Sequence, residues 1–197
     1  MKKLVALIVM GLFISISTVS VYAHETGEPH EEIEATDEAH LQAEQSDDPQ
    51  TVNSFDLFWP ISAGRVMGDP LYFLKSVKEQ IREVLVFSSF KKADYNITLS
   101  EKRTVEAEKL FVDSKDLENA TRTLQAASDK RQRALDLIIK AEGEGRYVVD
   151  LKTTLKNSLE KQRVLLQYVA TQVSDDAKSA IDNNVSNLNE ILAKLEG

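Results

Sequence analysis

From residue 70 onward the apolar positions of the chain recur at spacings of three and four, the period of helices that bury one face. Leu117, Ala120, Leu124, Ala127, Arg131, Ala134, Ile138 and Ala141 form one such stripe. Val148, Leu155, Leu159, Leu166, Val169 and Val173 form a second, interrupted by Lys152 and Gln162. Ala177, Ile181, Asn184, Leu188, Ile191 and Leu195 form a third. No proline follows Pro70, and beyond Gly68 glycine occurs only at 143, 145 and 197. The pattern predicts helices at about 70–87, 90–112, 115–142, 147–173 and 175–195.

The breaks between these stripes have local chemistry. Asp69-Pro70 opens the first helix, because Asp is a good N-cap and Pro is tolerated in the first helical position. Ser88-Ser89 and Asp113-Ser114 separate the next elements. Glu142-Gly143-Glu144-Gly145 offers glycine for a left-handed cap, and Ser174-Asp175-Asp176 places acids at the positive end of the last helix dipole. Short links make sequential helices antiparallel neighbours. The expected fold is all-α: an elongated antiparallel bundle or set of hairpins of about five helices. Residues 70–142 form its first part, and 143–197 a C-terminal hairpin packed on it. Residues 51–69 are apolar but broken by Pro60 and Gly64, so they are expected to be an irregular lead-in.

The first 50 residues follow a different pattern. Lys2 and Lys3 precede an apolar run from Leu4 to Ile16, and Val21-Tyr22-Ala23 places small residues before a cleavage point at Ala23–His24. Residues 1–23 therefore read as a secretory signal peptide. The alternative is an uncleaved anchor, although the apolar run is shorter than the about 20 residues a span needs. Residues 24–50 carry ten acidic residues, no Lys or Arg, and only Ile33 and Leu41 as large aliphatics. Such a segment cannot bury enough surface to offset its ordering entropy, so a disordered acidic tether is expected.

Charge and composition then exclude whole classes of function. Residues 51–197 contain 22 basic and 22 acidic residues, which removes the basic stripe that nucleic acid requires. With no cysteine there is no disulfide and no lipidated cysteine. The same residues contain no histidine, so the common general bases and nucleophile pairs are missing, and no glycine-rich phosphate loop or dinucleotide fingerprint occurs. No catalytic residue, cofactor or cofactor-binding residue is expected.

Several short motifs occur in order: Gly68-Asp69-Pro70-Leu71-Tyr72-Phe73-Leu74-Lys75, Lys91-Lys92-Ala93-Asp94-Tyr95, Glu101-Lys102-Arg103 and Glu106-Ala107-Glu108-Lys109-Leu110. In this order the chain resembles the bacterial domain of unknown function 5667 over roughly residues 55–140. The resemblance implies an exported or membrane-anchored bacterial protein, helical in this domain, and lends no activity. Phe73 stands where a second proline is frequent in that family.

Three sets of residues are candidates for binding or structural roles. Tyr95, Leu99, Arg103, Glu106 and Leu110 are spaced 4, 4, 3 and 4, so two charges lie on an apolar seam. Buried charges must be paired, which makes Arg103–Glu106 a structural ion pair fixing helix register, with Arg131 as a further member. The alternative role is ligand recognition. Phe55, Phe58, Trp59, Tyr72 and Phe73 cluster around the lead-in, either packed over the bundle or exposed to a partner protein or the membrane interface. His24, His30 and His40 are weak metal candidates in the acidic tether, at spacings that match no structured site. Asn184, polar on an apolar seam, suggests specified pairing within the bundle or in a homo-oligomer. The leading expectation is a non-enzymatic exported envelope protein that binds an envelope component or acts as a spacer. A metal-buffering protein is the alternative, and an enzyme of unfamiliar type a weaker one.

Overall fold

The computed structural model describes residues 52–196. The signal-like stretch, the Ala23–His24 junction, and the acidic stretch with His24, His30 and His40 lie outside the described residues. Among the described residues the chain is helical with no strand, in the order α1 Ser54–Phe58, α2 Tyr72–Leu85, α3 Ser89–Val112, α4 Leu117–Gly143, α5 Val149–Ala170 and α6 Asp175–Glu196.

The short helix α1 lies in the stretch expected to be irregular. Asn53 caps it by accepting the Phe55 N–H at 2.9 Å, and Asp56 sits in its first turn. Pro60 ends it, since Trp59, the residue before proline, takes an extended conformation (φ −47°, ψ 132°). Asp69 accepts the Leu71 N–H at 2.8 Å, but this closes a turn, and the regular helix begins at Tyr72. The end of α4 follows the glycine expectation. Gly145 is left-handed (φ 74°), with its N–H on the Glu142 carbonyl at 2.9 Å and the Arg146 N–H on the Ala141 carbonyl at 3.0 Å. At the α3–α4 link the left-handed position is Lys115 (φ 52°), a residue with a β-carbon.

The four long helices make a bundle. The α3–α4 pairing is the most extensive; α3 also packs on α5, α4 on α6, and α5 on α6, so two hairpins lie side by side. Leu110, Leu124, Ile138, Leu155, Leu159, Leu166, Ile181 and Leu188 are fully buried between them. Each such side chain stabilises the fold by about 1.5–3 kcal/mol relative to exposure. Phe58 brings the lead-in onto this core.

A single polar layer crosses the bundle, and all four helices contribute to it. Arg131 from α4 donates to Gln162 Oε1 of α5 at 2.9 Å and to Asn184 Oδ1 of α6. Thr104 of α3 donates to the same Gln162 oxygen at 2.8 Å, and Gln162 Nε2 donates to Ser100 and Ser158 at 3.0 Å each. Among the described residues no carboxylate reaches Arg131, and its Nε has no partner. Burial pulls the guanidinium down to about 9. Arg131 is therefore not a member of the Arg103–Glu106 pair. It lies on the bundle side of α3, whereas Arg103 and Glu106 turn toward α2. A hydrogen-bonded polar layer of this kind penalises any slip in register, because a slip would orphan more of its buried donors and acceptors.

Candidate functional site

Helix α2 is amphipathic, and it packs the opposite way from the other helices. Leu74, Val77, Ile81 and Val84 recur at spacings of 3, 4 and 3, with Phe73 and Leu85 beside them. These six side chains are exposed, and so is Phe87 just beyond the helix, at 90 %. The side of α2 that meets the body is charged.

That contact is an ionic seam along α3. Glu106 is fully buried and binds Lys75 of α2 through one oxygen and Arg103 through the other, the latter at 2.6 Å. Arg103 reaches on to Glu79 of α2, whose second oxygen takes Lys102 at 2.8 Å. One turn further, Glu83 binds Lys130 of α4 at 2.7 Å and accepts from Asn96 at 3.2 Å. The Tyr72 ring lies beneath Lys75 and Arg103, at 5.4 and 5.5 Å, and Arg82 stands over Tyr95 at 5.1 Å. Lys75 also donates to the Arg65 carbonyl at 2.6 Å, which ties the lead-in to the same seam.

The electrostatics follow from this enclosure. Burial pushes the Glu106 carboxyl up, against the pull of Arg103 and Lys75. It pulls the Lys75 ammonium down against Glu106, and raises the Tyr72 phenol to about 12. Glu83 is the opposite case: burial raises it, but Lys130 and Asn96 outweigh that and leave it below its ordinary 4.5. All four carboxylate oxygens of Glu79 and Glu106 are bound by cations. The cluster therefore orients a helix and leaves no free carboxylate for proton transfer.

The residues singled out from the sequence divide across this arrangement. Arg103 and Glu106 form an ion pair within the seam. Phe58 is buried, whereas Phe55 and Trp59 meet edge to face at 4.6 Å between ring centroids, with Trp59 70 % exposed. Tyr72 belongs to the seam, and Phe73 alone of the five lies on the outer face of α2. Sequence reasoning missed Lys75, Glu79 and Glu83. The signal was present: three charges at spacings of four, opposite the 74, 77, 81, 84 stripe.

On the flank of α2 lies a groove of about 470 Å³, lined by Arg65, Lys75, Lys78, Arg82 and Lys102, with Glu79 as its one acid. Lys78 and Arg82 have no carboxylate partner among the described residues. No group of His, Cys, Asp and Glu among the described residues could hold a metal ion, and no helix among them is long and apolar enough to cross a membrane.

No curated protein and no solved structure matches the chain. A family model matches residues 64–196, from the turn before α2 through the last helix, and so takes in α5 and α6 as well as the stretch that carried the resemblance. The chain belongs to the family described as Domain of unknown function (DUF5667).

Proposed function

We propose that this domain is a non-enzymatic binding module of the bacterial cell envelope, in which the four-helix bundle is a rigid body and α2 is the docking element it presents. The carrying observation is the orientation of α2, whose apolar side faces solvent while ion pairs hold its charged side to α3. Covering apolar surface gains about 25 cal/mol per Å², so this face favours a partner. The signal-like residues 1–23 would deliver the chain beyond the cytoplasm, and the acidic stretch 24–50 would act as a spacer ahead of the domain.

The absence of cysteine from the chain allows a direct test. Ile81→Cys on the outer face of α2 and Asp136→Cys on an exposed part of α4 are treated with an impermeant thiol reagent, in native envelopes and as purified protein. The proposal expects the thiol at 81 to react several-fold more slowly in the envelope, with no change at 136. Equal rates in the two preparations at both positions would count against docking through α2.

A further inference from the structure

We infer that the partner of α2 is an anionic lipid surface, on which the helix lies flat, its apolar side at the boundary of acyl chains and headgroups and its basic flank on the phosphates. This rests on α2 being the docking element and names what it docks to.

The first support is where the charges lie. At 100° per residue, Lys78 and Arg82 fall at one border of the apolar sector of α2, and Ser76 and Gln80 at the other. The two acids of the helix, Glu79 and Glu83, are turned inward and neutralised by Arg103, Lys102 and Lys130. What the face shows to a partner is therefore apolar surface with Lys78 and Arg82 along one edge; the other three cations of the groove behind that edge, Arg65, Lys75 and Lys102, are paired with Asp69, Glu106 and Glu79. Between residues 71 and 92 the chain carries five basic and two acidic residues, in a body that is balanced in charge as a whole. Long basic side chains beside an apolar face extend to phosphates while their stems stay in the apolar layer.

The second support is size. A helix of 14 residues is about 21 Å long and about 10–12 Å across, so its apolar half offers on the order of 350 Å². That is under half of the about 800 Å² each partner buries in a standard protein interface. A bilayer sets no such minimum, because any apolar side chain that reaches the boundary layer contributes on its own. The helix is also too short to span. Nor does the acidic stretch of this chain fit the face, since it offers only Ile33 and Leu41 against seven large apolar side chains.

The test uses the full chain with Val77→Cys carrying a polarity-sensitive dye; position 77 is exposed, so the label does not disturb the core. Vesicles of phosphatidylcholine are compared with vesicles that also contain phosphatidylglycerol. The local probe reports α2 whether or not residues 1–23 also insert. The expected result is a blue shift with the anionic vesicles that is much smaller with neutral ones. Lys78→Gln with Arg82→Gln should weaken it, by about five-fold per charge removed, and added salt should act in the same direction. An equal response to both vesicles, or none to either, overturns the lipid assignment. So does a shift without lipid that grows with protein concentration, which marks a second copy as the partner. If the probe ignores vesicles while Ile81→Cys stays protected in native envelopes, the lipid inference falls and docking through α2 stands.

Discussion

Helix α2 and the four-helix bundle use the same ingredients in opposite places. In the bundle, leucines and isoleucines point inward, charges point outward, and one guanidinium is held at the centre by neutral oxygens from two neighbouring helices. In α2 the apolar side chains point outward, and the contact with the body is built on ion pairs: five charged side chains in one chain, with Glu83–Lys130 beside it. The bundle derives its stability from burial, which salt hardly weakens. The seam derives its geometry from charge. A buried ionic cluster contributes little net stability once desolvation is counted, but losing one member is costly. The seam therefore fixes which way α2 faces more than how tightly the domain folds.

The largest effect should follow from damage to the bundle. Leu159→Ala removes a fully buried side chain and should lower global stability by about 2–5 kcal/mol in urea unfolding. Ile81→Ala, the same kind of truncation on the outer face of α2, should stay within about 0.5 kcal/mol. If both changes cost alike, α2 is buried as the other helices are and the contrast is lost.

Next comes the seam. Glu106→Gln strips Lys75 and Arg103 of their shared anion and should loosen the attachment of α2 more than it lowers global stability. Hydrogen exchange should show α2 amides losing protection while the centres of α4 and α6 keep theirs. Uniform loss across all helices would mean that the seam and the bundle are one cooperative unit.

Acid should separate two carboxylates with smaller effects. Glu83 is held below 4.5, so the native state binds fewer protons there than the unfolded chain does. Its contribution is complete above 4.5 and is lost as the pH falls through its folded value. Glu106 is raised, so its contribution has the opposite sign: present in acid and lost as the pH rises through its folded value. Glu83→Gln should therefore flatten the acid decline in stability, and Glu106→Gln should steepen it. Unfolding curves collected from neutral pH to below 4.5 would check both slopes.

The smallest effect belongs to the α3–α4 link. Lys115 is left-handed with a β-carbon in place, and Lys115→Gly should stabilise the domain by up to about 1 kcal/mol in the same assay.

The bundle was legible in the sequence because its helices carry one-sided apolar stripes separated by breaks with recognisable local chemistry, Gly145 most clearly. The polar interruptions Arg131, Gln162 and Asn184 were visible on their seams, but not their meeting in one layer, which depends on how three helices are staggered. Helix α1 was missed because its five residues, Ser54–Phe58, are too few for a period to show. The site was half legible. Arg103 and Glu106 stood out as charges on an apolar seam, and they are paired. Their partners Lys75 and Glu79 did not, because amphipathic periodicity locates a helix's two faces and does not say which one turns inward. Here the ion pairs to α3 decide it, and those join residues 23 to 31 positions apart.

The most direct test is therefore the rotation of α2 about its own axis in the purified protein. Single cysteines placed in turn at positions 74, 77, 81 and 84, and at 75, 79 and 83, are titrated with a small thiol reagent. The account predicts fast modification across the first set and slow modification across the second. The inverse pattern, with the apolar stripe protected and the charged stripe reactive, would show that α2 packs through its apolar side and would contradict the account.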